Sequence, residues 1–179
     1  TNNPNRKLKY TLHIIENNGA KVGIDTHLTN KIFLDALKNN LIKEFDNKCE
    51  INTEVKFGNN TRFDFLICNN KFKAFVEVKN VTLSRKPKIA EFPDAVTARG
   101  SKHLEELIKA KKKNYKIYIA FIIQREDCNQ FSIADDIDPK YSKLLSKALK
   151  NKLNVICYDC KFNAKGIKLN NKLKLKFND

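Results

Sequence analysis

The chain has no tryptophan and no methionine, and few of the residues that break or link structure: five glycines and four prolines in 179 residues. That excludes collagen-like repeats and a Pro/Gly-rich linker; no internal repeat is visible. No apolar run approaches the roughly 20 residues a membrane-spanning helix needs, and no secretory leader is visible. A start at Thr1 with no Met anywhere reads as a fragment or a processed chain. Five cysteines, an odd number, argue against a disulfide framework and for a reducing cytoplasm. Cys157 and Cys160 have C-x-x-C spacing. In a strand their thiols would face opposite ways, and no second pair or nearby His completes a zinc set.

Acidic residues are scarce, 20 against 35 Lys and Arg, for a formal net charge of +15. Such an excess favours an anionic partner, most often nucleic acid. Lysine outnumbers arginine 30 to 5, and Asn, Ile and Lys are plentiful, which equally fits a genome rich in A·T codons. No basic amphipathic helix with a bulky apolar face points to a membrane surface. Four of the five arginines, Arg62, Arg85, Arg99 and Arg125, lie in or beside the segments singled out below. Arginine forks onto phosphate oxygens as lysine cannot.

The length suits one domain with a real core. Residues 7–26 read as a hairpin turning at Asn17-Asn18-Gly19. A helix capped by Thr26 or Thr29 should reach about Ile42, with Leu28, Ile32, Phe33, Ala36, Leu37 and Leu41 as its apolar stripe. Residues 50–57 alternate as a strand, and Gly58-Asn59-Asn60 turns into two more. A loop with Pro87 and Pro93 then leads to a helix from Asp94 or Thr97 to about Lys113. Residues 115–123 are nearly all apolar, as in a strand buried on both faces. A helix over 139–152, a strand over 155–159 and a lysine-studded pair of short strands over 162–177 follow. The expected core is helix, three antiparallel strands, helix, strand, in an α/β (α+β) fold with a mixed sheet.

The central hairpin carries the chemistry. Asn69-Asn70 is a turn pair, which would set Asp64 opposite Phe75 and Arg62 opposite Glu77. Asp64, Glu77 and Lys79 would then share one face, with the two acids one diagonal step apart. The other face, Phe63, Phe65, Ile67, Ala74, Val76 and Val78, is wholly apolar. Two carboxylates so placed suit Mg²⁺, which takes oxygen ligands at about 2.1 Å. A nearby lysine could orient water or stabilise charge on phosphorus. The plain alternative is a solvated face with an ion pair from Glu77 to Lys79 or Arg62.

Asp64 and Glu77-Val78-Lys79, in that element order, resemble the PD-(D/E)xK (restriction-endonuclease-like) nuclease superfamily, with Phe63 in place of the name-giving proline. Longer stretches resemble the sugar fermentation stimulation protein A family. They are Glu54-Val55-Lys56-Phe57-Gly58, Arg62-Phe63-Asp64-Phe65-Leu66, Val76-Glu77-Val78-Lys79-Asn80-Val81-Thr82-Leu83, Phe92-Pro93-Asp94-Ala95-Val96-Thr97-Ala98-Arg99-Gly100, Lys102-His103-Leu104, Gln124-Arg125 and Ala134-Asp135-Asp136-Ile137-Asp138-Pro139. The resemblance implies an αβββαβ nuclease-like domain over 27–179, preceded by the tail of an N-terminal OB-like subdomain over 1–26. It implies a DNA-binding protein tied to sugar (maltose) metabolism genes; the basic C-terminal hairpin, with Lys165, Lys168, Lys172, Lys174 and Lys176, offers RNA as an alternative partner.

Within that resemblance, Asp64 and Glu77 are the expected ligands of Mg²⁺ or Mn²⁺, and Lys79 positions water. Gln124 is expected to hold the attacking water, or to be a capping amide. Asp35 is the candidate for an additional acid on the first helix. Arg62, Arg99, Lys102, His103 and Arg125 are expected to bind nucleic acid. His103 is otherwise a structural residue, and Arg99 and Lys102 a solvated helix face. Asp94 is expected to cap a helix, and the acidic run Asp135, Asp136 and Asp138 to cap the next one, with a calcium-like site as the alternative. The activity is either metal-dependent phosphodiester hydrolysis or DNA binding without cleavage. A homodimer is left open, since many nucleases of this kind pair up to cut both strands.

Overall fold

A computed structural model describes residues 5, 7–46, 48–59 and 61–176. Residues 1–4 of the N-terminal segment, Asn60 of the expected turn and Phe177 of the expected last strand lie outside them. The order is β1 (Ile14–Asn17), β2 (Ala20–Gly23), α1 (Thr26–Lys38), β3 (Glu50–Phe57), β4 (Thr61–Asn69), β5 (Phe72–Val81), β6 (Leu83–Lys86), β7 (Ile89–Phe92), α2 (Ala98–Lys112), β8 (Lys116–Ile123), β9 (Gln130–Ile133), α3 (Pro139–Lys150), β10 (Asn154–Asn163), β11 (Gly166–Lys172) and β12 (Leu175–Lys176). The expected core appears as α1, β3–β4–β5, α2, β8, in a six-stranded mixed sheet ordered β11-β10-β8-β5-β4-β3. β8 runs parallel to both β5 and β10, while β3, β4 and β5 are antiparallel neighbours.

The sheet is covered on both sides. Ile32, Phe33, Ala36 and Leu37 of α1 pack on one face. Leu104, Leu107 and Ile108 of α2, with Tyr141, Leu145 and Ala148 of α3, pack on the other. β8 feeds both layers: Ile117, Ile119, Phe121 and Ile123 go one way, Tyr118, Ala120 and Ile122 the other. Cys157 and Cys160 likewise enter opposite layers, as the alternation requires. No helix among the described residues is long and apolar enough to cross a membrane.

Several elements differ from expectation. The first strand begins only at Ile14; Leu8, Tyr10 and Leu12 alternate but stay exposed. α1 is capped by Asp25, whose carboxylate accepts from His27 N–H. The expected loop after residue 83 folds into β6 and β7, which join β9 and β12 in a second, four-stranded sheet. Pro87 sits in the β6–β7 turn beside Lys88, whose φ is +65°.

The central hairpin is also displaced. Asn69 Oδ1 accepts from Lys71 N–H at 2.9 Å and Phe72 N–H at 3.1 Å. It closes the turn from the strand end, so Asn70 and Lys71 take the bend and Asn69 pairs with Phe72. The sliding moves each strand by one residue in opposite directions, which by itself turns no side chain to the other face. Leu66 consequently faces Phe75; Arg62 lies beyond the last β4–β5 pair, Phe65–Val76, so it faces no residue of β5 and pairs only with Lys56 of β3.

One expected face is broken. Phe65 meets Phe33 under α1 at 5.2 Å between ring centroids, but Phe63 meets Phe75 on the α2 side at 4.9 Å. β4 therefore changes face at Asp64, and β3 changes with it at Glu54, whose φ is +54°. The side bearing Glu77 and Lys79 is not a solvated sheet face, because Phe75 and Leu66 pack beneath α2.

Candidate metal and nucleic-acid site

Regular β4–β5 pairing stops at Phe65–Val76, whereas β5 stays paired with β8 out to Val81. Where β4 leaves the ladder, the Asp64 side chain replaces a backbone partner. Its Oδ2 accepts from Val78 N–H at 2.7 Å, and its Oδ1 accepts from Asn30 Nδ2 at 2.8 Å. Asn30 lies on the second turn of α1. A cleft of about 470 Å³ opens here, lined by Thr26, Thr29 and Asn30 of α1, by Asp64, by Glu77 to Asn80 of β5, and by Asp94, Thr97 and Arg99 at the entry to α2.

Glu77 is only 3% exposed. Its Oε1 accepts from Lys79 Nζ at 2.7 Å and from His103 Nδ1–H of α2. A carboxylate can only accept, so the ring nitrogen facing it carries the proton. The other oxygen, Oε2, is buried with no partner among the described residues. Burial pushes the Glu77 carboxyl up, but the hydrogen bond from His103 and the Lys79 charge outweigh it and hold it below the usual carboxylate range. Asp64 moves the other way: burial, then the Glu77 charge, raise it from 3.8 to about 6, although Val78 N–H and Asn30 oppose the rise. The two acids are thus driven apart by their surroundings, a common feature of functional sites.

The sequence-predicted residues divide. Asp64, Glu77, Lys79 and Arg99 come together in the cleft. His103 is close by but 6% exposed, placed against Glu77, not against an incoming phosphate. Gln124 is fully buried behind the cleft; its Nε2 donates to Asn80 Oδ1 at 2.7 Å and Thr29 Oγ1 at 2.9 Å, so it supports the wall and faces no solvent. Arg125 is 8% exposed, with its guanidinium on Asp127 and on the Thr82 carbonyl, a clamp instead of a phosphate contact. Arg62 is exposed on β4 and meets Glu54 at 4.0 Å, away from the cleft lining. Lys102 is exposed on α2 and does not line the cleft. Asp35 is exposed on α1, one turn beyond the cleft, and accepts from Asn39; Asn30 is the α1 residue that reaches Asp64.

Of the expected caps, Asp138 starts α3 and also accepts from Thr97 N–H, tying α3 to the α2 entry. Asp136 instead binds Arg85, which also grips Glu91. Asp94 lies in the cleft wall, and Thr97 caps α2. Sequence reading missed Asn30 and Thr97 as site residues. Thr26 and Asn30, one turn apart on the polar edge of α1, were the available signal.

A sequence model described as "Sugar fermentation stimulation protein RE domain" matches residues 27–166. A sugar fermentation stimulation protein homolog of Pelagibacter ubique (strain HTCC1062) is 54% identical over 172 residues, covering 96% of this chain and 74% of the relative. One from Bartonella henselae is 40% identical over 167 residues, covering 93% of this chain and 71% of the relative. Among solved structures, Pyrococcus furiosus SfsA in complex with Ca²⁺ matches with a TM-score of 0.88 at 30% identity, covering 98% of this chain and 76% of that one. The chain belongs to the sugar fermentation stimulation protein (SfsA) family.

Proposed function

We propose that the chain is a divalent-metal-dependent phosphodiesterase acting on nucleic acid, DNA first, through a PD-(D/E)xK-type set of Asp64, Glu77 and Lys79. The observation that carries this reading is the convergence of a buried carboxylate, Glu77, a half-buried one, Asp64, and an ammonium in one cleft that also holds Arg99. The donors suit a hard cation: Glu77 Oε2 is buried without a partner among the described residues. Asp64 is strained toward its neutral form by burial and by Glu77, which a positive charge would relieve. Mg²⁺ or Mn²⁺ prefers oxygen donors of this kind, as does the Ca²⁺ held by the P. furiosus relative.

Asp64 and Glu77 would hold the ion, which when bound lowers the pKa of a water and offsets phosphate charge. Asn30 and Val78 N–H fix the Asp64 carboxylate, and His103 fixes that of Glu77, so both arrive oriented. Lys79 can turn its ammonium from Glu77 toward a phosphate oxygen or the attacking water. Arg99, at the exposed start of α2, would fork onto a neighbouring phosphate. The same reading takes 27–179 as the nuclease-like domain, consistent with the family match from residue 27, and 1–26 as the tail of an OB-like subdomain.

Single- and double-stranded DNA incubated with Mg²⁺ or Mn²⁺ should be cut by the wild-type chain. Cutting should stop with EDTA and fall by about 100-fold or more in Glu77→Ala and Lys79→Ala. Cleavage unaffected by both substitutions removes the proposal. A second reading, binding without cleavage in a regulator of sugar-metabolism genes, is favoured by the 2.7 Å Lys79–Glu77 pair, which occupies the amine. Salt-sensitive binding with no cleavage under either metal selects it.

A further inference from the structure

The cleft does not end at Asp64. A second hollow of about 420 Å³, between α1 and β3–β4, shares Thr26, Asn30 and Asp64 with it and continues to His27, Lys31 and Thr53. A third, of about 410 Å³, adjoins the second at Lys31. Its floor is Ile14, Leu28, Ile32 and Ile167, and its rim carries Asp35 of α1 as well as Lys165 and Lys168 from the β10–β11 hairpin. The ammonium groups of Lys31, Lys165 and Lys168 pair with no carboxylate among the described residues. Lys172 of the same hairpin is occupied by Glu44, and Lys176 of β12 by Gln130.

We infer that this chain of hollows is the track of a single nucleic-acid strand leaving the cleft, running over α1 at Lys31 to Lys165 and Lys168. The inference rests on the reading of the cleft as a nucleic-acid site and extends it to the form of the strand. Three cations without a carboxylate partner among the described residues outnumber the acids Glu54, which lies beside Arg62, and Asp35 along these two outer hollows, and complement a phosphate backbone. The aliphatic floor of the last hollow offers a dry surface to a sugar or base face. The path also selects against a duplex. It bends around a helix about 10–12 Å across, a turn far tighter than the bends over about 20–30 base pairs that already cost duplex DNA about 1–6 kcal/mol.

The experiment is fluorescence anisotropy with labelled oligodeoxythymidylates of about four and about twelve nucleotides, within the span of known single-strand sites. It is run in EDTA so that cleavage plays no part, comparing wild type with the exposed triple variant Lys31→Ala/Lys165→Ala/Lys168→Ala. The longer strand should lose about 2 from the slope of log affinity against log salt, from three contacts at about 0.7 each. Between about 50 and 200 mM salt, wild-type binding should therefore weaken about 20-fold more than that of the variant. The shorter strand should bind both proteins alike, and a duplex of the longer length should change less than about twofold. Equal losses for short and long strands, a duplex loss as large as the single-strand loss, or no loss at all overturns the track. Cleavage, read separately with metal, can fail while the length-dependent binding persists, so the two readings fall independently.

Discussion

Asp64 should make the protein less stable at neutral pH than at acid pH, and replacing it isolates the effect. Its folded pKa is raised from 3.8 to about 6, first by burial and then by Glu77. A carboxyl whose folded pKa exceeds its unfolded one favours folding when protonated. The contribution is complete below the unfolded value and is lost as pH rises through the folded one, here from about 4 to about 6. At 1.36 kcal/mol per pH unit the loss is about 3 kcal/mol. Asp64→Asn has no charge to bury; its amide, like the protonated acid, offers one full acceptor to Val78 N–H and Asn30 Nδ2, and the two bonds the carboxylate accepts are already contained in its raised pKa. The variant should therefore match wild type within about 1 kcal/mol at about pH 4 and be more stable by about 3 kcal/mol at about pH 8. Urea unfolding at both pH values, without divalent metal, measures the difference directly. Because the amide does not titrate, the change with pH reports the carboxyl at position 64. A difference between variant and wild type that is flat with pH, or that moves the other way, refutes the argument that burial and Glu77 strain this acid.

Two further predictions concern how the site is held. His103→Leu should destabilise by about 3 kcal/mol, because Glu77 stays buried and keeps only Lys79 as a partner. His103→Gln, which can still donate, should recover most of that, as read by urea denaturation; equal losses for Leu and Gln would show that the ring supports Glu77 by packing alone. Gly23→Ala should cost about 1–3 kcal/mol, since a Cβ there would stand 2.3 Å from Gln124 Oε1 and 3.1 Å from Ile167 Cδ1. An unchanged unfolding midpoint would mean that the Gln124 amide can turn away without loosening Thr29 and Asn80.

The catalytic candidates were readable from sequence because side-chain alternation is insensitive to the register error. Moving the turn from Asn69-Asn70 to Asn70-Lys71 slid each strand by one residue in opposite directions and left Glu77 and Lys79 on their shared face. The cations were not readable in the same way. Arg62, Arg99 and Arg125 look alike in a string of residues, yet Arg125 meets Asp127 across two residues and the Thr82 carbonyl across forty-three, which no local pattern reveals. The β6–β7 hairpin escaped because Pro87 reads as a loop, although here it takes the turn beside the left-handed Lys88. Asn30 escaped because its partner lies 34 residues away.

The face change at Asp64 explains why the cleft lies where it does. A strand that kept strict alternation would have pointed Phe63 and Phe65 into the same layer and zipped Asp64 into the ladder. Instead Phe63 turns to Phe57 and Phe75 on the α2 side, Phe65 turns to Phe33 under α1, and the backbone between them leaves β5. The Val78 N–H thereby freed cannot remain unpaired in so buried a place. The Asp64 carboxylate satisfies it, and that bond draws the acid against Glu77 at the mouth of the opening wedge. The aromatic residues on either side of Asp64 are therefore part of the site without touching its contents. They pull the strand both ways, and the gap that results is the cleft.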